Sequence, residues 1–298
     1  MRKPQFVIIS GPVNGVEPLR RTIQVCAPYA SSIQVLDVGT AGDVDSLASA
    51  ASDTQVRKLI DFHDNWPRAY AAAQSRVPMD DWFVLLHAFD RPTQVFLDGL
   101  DANISDLEDS SIAVASFPTL SHVPVDGKMV RLIDFGLGPK DYPANQWPDD
   151  VMIQPPSRRG FRPTLFKRQP NVLITHSPTA YCQCVIDRAT KLPIAGVVFP
   201  QFINRVASPQ EDALEIIARS WSTHPMHARV RASYPHFADF LTVLRRESVP
   251  KYVIDQWLAE KVISDVVAHA CLLFAGPPTP MKFAPMQLCT FECCTYPR

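Results

Sequence analysis

Hydrophobic and polar positions change period along the chain. Over the first 117 residues, short apolar runs alternate with segments whose apolar residues return every three or four positions. FVIIS (6–10), SIQVLDVG (32–39), VRKLIDF (56–62), WFVLLHA (82–88) and SIAVASF (111–117) have the length and composition of strands. VEPLRRTIQVCAPY (16–29), an Ala/Ser-rich stretch near 44–52, WPRAYAAAQSR (66–76) and PTQVFLDGLDANI (92–104) have helical spacing. The last two carry proline in the first turn, where no amide hydrogen is needed. Strands interleaved with helices predict an α/β sandwich around a mainly parallel sheet. Ligands of such sheets sit beyond the carboxyl ends of the strands. Asp37, Asp64 and the knot His87-Ala88-Phe89-Asp90 all fall at such ends.

The pattern degrades between about 118 and 206, where KMVRLIDFG, TLFKR and NVLITH read as short strands within long, proline-rich connections. This predicts an irregular, partly antiparallel region covering the site. The final third returns to helices: SPQEDALEIIARSW (208–221), opened by Ser208 and Glu211 as a capping box, then roughly 235–247 and 251–271. The expected organisation is an α/β half over 1–120, an irregular region over 121–206 and a C-terminal helical region over 207–298.

With 46% hydrophobic and 20% charged residues, the composition is that of an ordinary soluble globular protein. No apolar run approaches the ~20 residues a transmembrane segment needs, and the opening run breaks at Gly11–Pro12 before it could act as a signal-peptide core. A cytoplasmic location with reduced cysteines is therefore expected, with a metal or disulfide at Cys289, Cys293 and Cys294 as the minor alternative. The net charge of −1 conceals an asymmetry: residues 1–110 hold 15 acids and 9 bases, the remainder 15 and 20. An anion should thus be gripped from the second part, where RRGFRPTLFKR gathers Arg158, Arg159, Arg162, Lys167 and Arg168. That segment suits a diphosphate, a phosphorylated acceptor or nucleic acid, and equally a solvated loop.

The order of these segments resembles the family-2 glycosyltransferases of GT-A fold. FVIISGPVNGVEPLRRTI is similar to their first strand, turn and L-x-R-T-L helix, which puts Gly11, Pro12, Val13 and Asn14 in the turn. SIQVLDVGTAGD resembles the second strand, with Asp37 where the family reads base or ribose. DFHDNWPRAYAAAQSRVPMDDWFVLLHAFDRP resembles the run from D-N-F through G-D-W to D-x-D, and RPTLFKRQPNVLITH the R-L-F-R-R segment ending in histidine-glutamate. The resemblance implies a GT-A (Rossmann-like) sheet and transfer of a sugar from a nucleotide sugar, of uridine type, to an acceptor hydroxyl. Glycan, protein, lipid head group and modified nucleobase all remain open as acceptors.

The departures are systematic. Val13 replaces a stacking aromatic, Tyr70–Ala71 an arginine-asparagine, His87 and Phe89 the two metal aspartates, and Ser177 the glutamate after His176. Inverting transfer needs a base for the acceptor and a cation for the leaving diphosphate. The substitutes read from the sequence are His87 with Asp90 holding a divalent cation (Mn or Mg), or protonated His87 as the cation itself. Asp90 or His176 would be the base, and Lys167 and Arg168 the diphosphate clamps. Gly11, Pro12, Asn14, Asp37 and Asp64 would hold the nucleotide. Against each stands a plain structural role, and a catalytically inactive binding protein of the same fold would account for every lost carboxylate.

Overall fold

The structure, a computed structural model, describes residues 3–11, 13, 15–40, 42–44, 47, 56–61, 65–125, 128–133, 152–153, 162–176, 183–192, 194, 196–201, 203–223, 231–232, 236–246, 249, 251–260, 263 and 265–274. In chain order the first elements are β1 (Gln5–Ser10), α1 (Val16–Cys26), β2 (Ser32–Asp37), β3 (Val56–Asp61), α2 (Trp66–Ser75), β4 (Trp82–His87), β5 (Asp90–Pro92) and α3 (Gln94–Asp109). Then follow β6 (Val114–Phe117), β7 (Thr119–Val125), β8 (Lys128–Ile133), β9 (Met152–Ile153), β10 (Arg162–Lys167), β11 (Val172–His176), β12 (Gln183–Asp187), β13 (Val197–Val198) and β14 (Ile203–Arg205). Four helices close the described part: α4 (Pro209–Thr223), α5 (Phe237–Arg246), α6 (Lys251–Ala259) and α7 (Asp265–Leu272).

The fold is α/β. Seven strands form the central sheet in the order β13-β6-β10-β4-β1-β2-β3, parallel except for β10, which runs against both neighbours. From β1 the chain winds outward through β2 and β3, then returns to lay β4 on the other side of β1. The carboxyl ends of β1 and β4 are therefore a topological switch point, the place where ligands of open α/β sheets bind.

Alternation along the strands splits the core by face. Phe6, Ile8, Val84 and Leu86 pack with Leu19 and Ile23 of α1 and with Phe96, Leu100 and Ile104 of α3. Val7, Ile9, Phe83 and Leu85 pack with Trp66, Tyr70 and Ala73 of α2 and with the β11–β12 hairpin. His87 continues the parity of Phe83 and Leu85 and so belongs to the α2 face.

Helix α3 begins two residues later than its spacing predicts, because Asp90–Pro92 pairs antiparallel with β14. Pro92 is tolerated there on an edge strand, and the Thr93 hydroxyl caps the helix by accepting from Phe96 N–H at 3.3 Å. The pair β5–β14 extends through β7, β8 and β9 into a second, five-stranded sheet. The Ser208–Glu211 capping box is formed: Ser208 N–H donates to Glu211 Oε2 at 2.7 Å, and Glu211 N–H to Ser208 Oγ at 3.3 Å. The helix expected over 251–271 is two helices, α6 and α7.

Helices α4–α7 gather a third apolar cluster around Trp221, Phe237, Phe240 and Ile254. Val13, in the turn after β1, packs against that cluster. Cys26 and Cys271 are free, buried thiols, and burial pushes Cys271 up to about 12. No helix among the described residues is long and apolar enough to cross a membrane.

Candidate functional site

The knot after β4 turns back within three residues, and its carboxylate faces inward. Asp90 is fully buried, and its two oxygens accept four hydrogen bonds. Arg162 grips it with a fork, Nη1 to Oδ1 at 2.9 Å and Nη2 to Oδ2 at 2.5 Å. Arg205 Nη1 lies 3.4 Å from Oδ1, and the His87 backbone N–H donates to Oδ2 at 2.6 Å. A carboxylate has about four lone-pair sites, so this one is saturated. Burial works to raise its pKa, but the two guanidinium groups and the His87 amide outweigh it and hold Asp90 below the usual carboxylate range. A general base near neutrality is tuned the opposite way, and every lone pair of Asp90 here already faces a donor.

Helix α4 supplies the rest. Asp212, Glu215 and Arg219 recur at i, i+3 and i+7, one face of the helix, and that face lies over the strand ends. Arg205 donates from Nε to Asp212 Oδ1 at 2.5 Å and from Nη2 to Glu215, while Arg219 donates to Glu215 and to His87 Nδ1. Burial opposes the charge on Arg205, yet Asp212 and Asp90 hold its pKa above the ordinary value. Arg219 is pulled down by burial to about 10 and stays charged at neutral pH.

Nδ1 of His87 lies against Arg219 Nη2 and 3.5 Å from Glu215 Oε1, so the ring sits between a guanidinium and a carboxylate. Its Nε2 faces the Tyr70 hydroxyl at 3.3 Å. Trp66 meets the same ring edge-on at 5.7 Å. Two of the departures read from the sequence, Tyr70 and His87, are thus in contact, and both are buried.

Arg219 thus stands beside His87 as a second cationic group at the knot, and Glu215 lies between them as their shared carboxylate. These contacts leave a divalent ion a poor fit. The lone pairs of Asp90 are filled and Nδ1 of His87 is enclosed by Arg219 and Glu215, while among the described residues no group of three His, Cys, Asp or Glu side chains could hold a metal.

Lys167 and Arg168 lie away from the knot. Because β10 is antiparallel, Lys167 pairs with Trp82 at the amino end of β4, the opposite edge of the sheet from the knot. There Lys167 lies 3.9 Å from Glu108 and over the Trp82 ring, and Arg168 donates to the Val77 carbonyl. The same strand direction brings Arg162, from that basic segment, to the carboxyl edge.

Asp37 ends β2 beside the switch point and is 5% exposed. Its Oδ1 accepts from Gly39 N–H at 2.9 Å and Thr40 N–H at 2.7 Å, shaping a turn in which Gly39 has φ 114°, a conformation that favours glycine. Thr40 Oγ1 reaches Ser10 Oγ at 2.7 Å, tying that turn to the end of β1 just before Gly11. On the other flank Thr22 of α1 donates to the Ala88 carbonyl at 2.6 Å, and Arg91 donates to Ala88, Asp90 and Pro18 carbonyls, bracing the knot from behind. His176 ends β11, with its side chain outside the described residues, as are Pro12, Asn14 and Asp64.

No protein-family model matches the chain, and no curated protein matches its sequence. Three solved structures are similar to parts of it. Glucosyl-3-phosphoglycerate synthase from Mycobacterium tuberculosis shares 15% identity over 39% of this chain and 44% of that one, with a TM-score of 0.29. Mannose-6-phosphate isomerase from Helicobacter pylori shares 8% over 55% and 71%, at 0.32. Residues 1–349 of TarS from S. aureus share 6% over 90% of each chain, at 0.35. This chain spans less than half the length of the synthase. A synthase and an isomerase overlap the fold to similar degrees, so the overlaps assign no chemistry.

Proposed function

We propose that this protein is a glycosyltransferase of the GT-A kind, binding a nucleotide sugar across the switch point of its sheet. One observation carries the reading. Gly11, Asp37 and the His87–Asp90 knot come from three separate segments whose order resembles that family, and the fold delivers all three to the carboxyl ends of β1, β2 and β4, where a crevice ligand belongs. Asp37 would face base or ribose, and Gly11 would let the backbone approach the nucleotide. His176, at the end of the hairpin strand packed on α2, would serve the acceptor. The donor is of uridine type; a glycan, protein, lipid head group or modified nucleobase receives the sugar.

A second reading, nucleotide-sugar binding without transfer, is favoured by the saturation of Asp90, which takes away the base that its place in the sequence suggested. Calorimetry with nucleoside diphosphates, followed by a release assay over a panel of nucleotide sugars and the four acceptor classes, separates the two. Transfer predicts saturable binding, release of nucleoside diphosphate, and His176→Ala variants that bind but do not turn over. Asp37→Asn, which keeps an acceptor for the turn and loses the charge, should weaken binding about tenfold. Binding with no release across the whole panel selects the second reading. Absence of binding to any nucleotide overturns both.

A further inference from the structure

We infer that Arg162 is the resident cation of this site, standing where a divalent ion would otherwise have to sit, so that ligands are bound without metal. The inference concerns the phosphate end of the site proposed above and rests on that reading only for the identity of the ligand. Three observations carry it. First, the sole carboxylate of the knot gives both oxygens to the Arg162 fork at 2.9 and 2.5 Å and its remaining lone pairs to Arg205 and the His87 amide. A metal could reach it only by expelling a guanidinium. Second, the only other knot side chain with ligating atoms, His87, has both ring nitrogens engaged, Nδ1 with Arg219 and Glu215 and Nε2 with Tyr70. Third, Arg162 is delivered by a strand running against the rest of the sheet, so a positive charge enters the crevice from the edge where parallel strands end. Its Nε–H is buried and makes no hydrogen bond, and this is the donor we assign to a ligand oxygen. Arginine suits this part because its charge is permanent and its planar fork holds one carboxylate while a further edge remains for another acceptor.

The test uses the full chain and manganese itself as probe. Free Mn²⁺ is followed by electron paramagnetic resonance during titration of wild type, Arg162→Met, Arg162→Lys and the Arg162→Met/Asp90→Asn double variant, with no nucleotide present. Wild type and Arg162→Lys should leave the signal unaltered. Arg162→Met should gain saturable Mn²⁺ binding, and the double variant should lose it. In parallel, uridine diphosphate affinity of wild type should agree within about twofold between Mn²⁺ and chelator, and fall about tenfold or more in Arg162→Met. Saturable Mn²⁺ binding by wild type that Asp90→Asn removes would overturn the assignment, as would uridine diphosphate binding that needs the metal. If Arg162→Met does not fold, those wild-type measurements still decide. Failure of uridine diphosphate to bind in either buffer, with wild type silent to Mn²⁺, counts against the transferase reading and supports Arg162 as the occupant of the knot.

Discussion

Helices α1 and α3 meet the central sheet through hydrocarbon, whereas α4 meets the ends of β4 and β14 through charge. On the first interface Leu19, Ile23, Phe96, Leu100 and Ile104 pack on alternate strand residues and exclude water without regard to pH or partner. On the second, Asp212, Glu215 and Arg219 of α4 engage Arg205 and His87, and Arg205 and Arg162 engage Asp90, all buried. The first kind of contact is forgiving, since any apolar group of similar volume serves. The second demands complete pairing: breaking one partner leaves a charge stranded in a medium that solvates it poorly. A fold that invests its charges at strand ends, and not on its flanks, has specified the geometry of its crevice more tightly than hydrocarbon could.

The largest effect should therefore come from removing the anion at the centre of the network. Asp90→Ala leaves Arg162 and Arg205 without their shared partner and should cost about 3–5 kcal/mol of unfolding free energy in urea titrations. Replacing the pair together, as Asp90→Leu/Arg162→Met, should recover much of that loss. The pH dependence sharpens the point. Burial pushes Asp90 up, Arg162 and Arg205 push it further down, and the folded pKa lies below its unfolded value near ~3.9. Its contribution is then complete above about pH 4 and is lost as pH falls through the lower folded pKa. The gap between wild type and Asp90→Asn should stay constant from neutrality to about pH 4 and narrow only below it. A gap that closes between about pH 7 and 5 would mean that the carboxylate is not held as the structure shows.

The apolar framework was legible because period alone reports it. FVIIS, WFVLLHA and the α1 and α3 stripes were all predicted within a few residues of their observed bounds. The site was legible as a place and illegible as a set of partners. Asp37 and the knot could be put at strand ends from local pattern, but which basic residue faces Asp90 depends on strand direction. Lys167 and Arg168 looked equivalent to Arg162 within one segment, and only the antiparallel run of β10 sends them to opposite edges. The contributions of Asp212, Glu215 and Arg219 did leave a trace, two acids and a base at i, i+3 and i+7 on one face of the helix. Arg205, on a three-residue strand, had no such signal, and its partners come from elements far apart in sequence.

A smaller effect tests whether α4 is held by charge or merely by shape. Glu215→Gln keeps an oxygen for hydrogen bonding and loses the charge shared by Arg205 and Arg219, so it should cost about 1.5–3 kcal/mol. Hydrogen exchange should then accelerate in α4 and at Val13, which packs on the same helical cluster, while α1 and α3 amides keep their wild-type rates. Equal acceleration in α4, α1 and α3 would erase the distinction between the two interfaces.

The smallest effect concerns how α4 is started, not what it touches. Ser208 and Glu211 exchange hydrogen bonds at the helix entrance, a few residues from Arg205 and Asp212. Ser208→Ala removes one arm of that exchange and should cost about 1 kcal/mol. If the buried charges fix α4 independently of its cap, the loss should appear only as faster exchange in the first turn, with no change in nucleotide affinity. If the cap instead sets the angle at which Asp212 and Glu215 reach Arg205, Ser208→Ala should weaken nucleotide binding as well, and Ser208→Asp, which restores an acceptor and complements the helix dipole, should rescue both. The affinity measured in that pair of variants decides whether the helix start belongs to the framework or to the crevice.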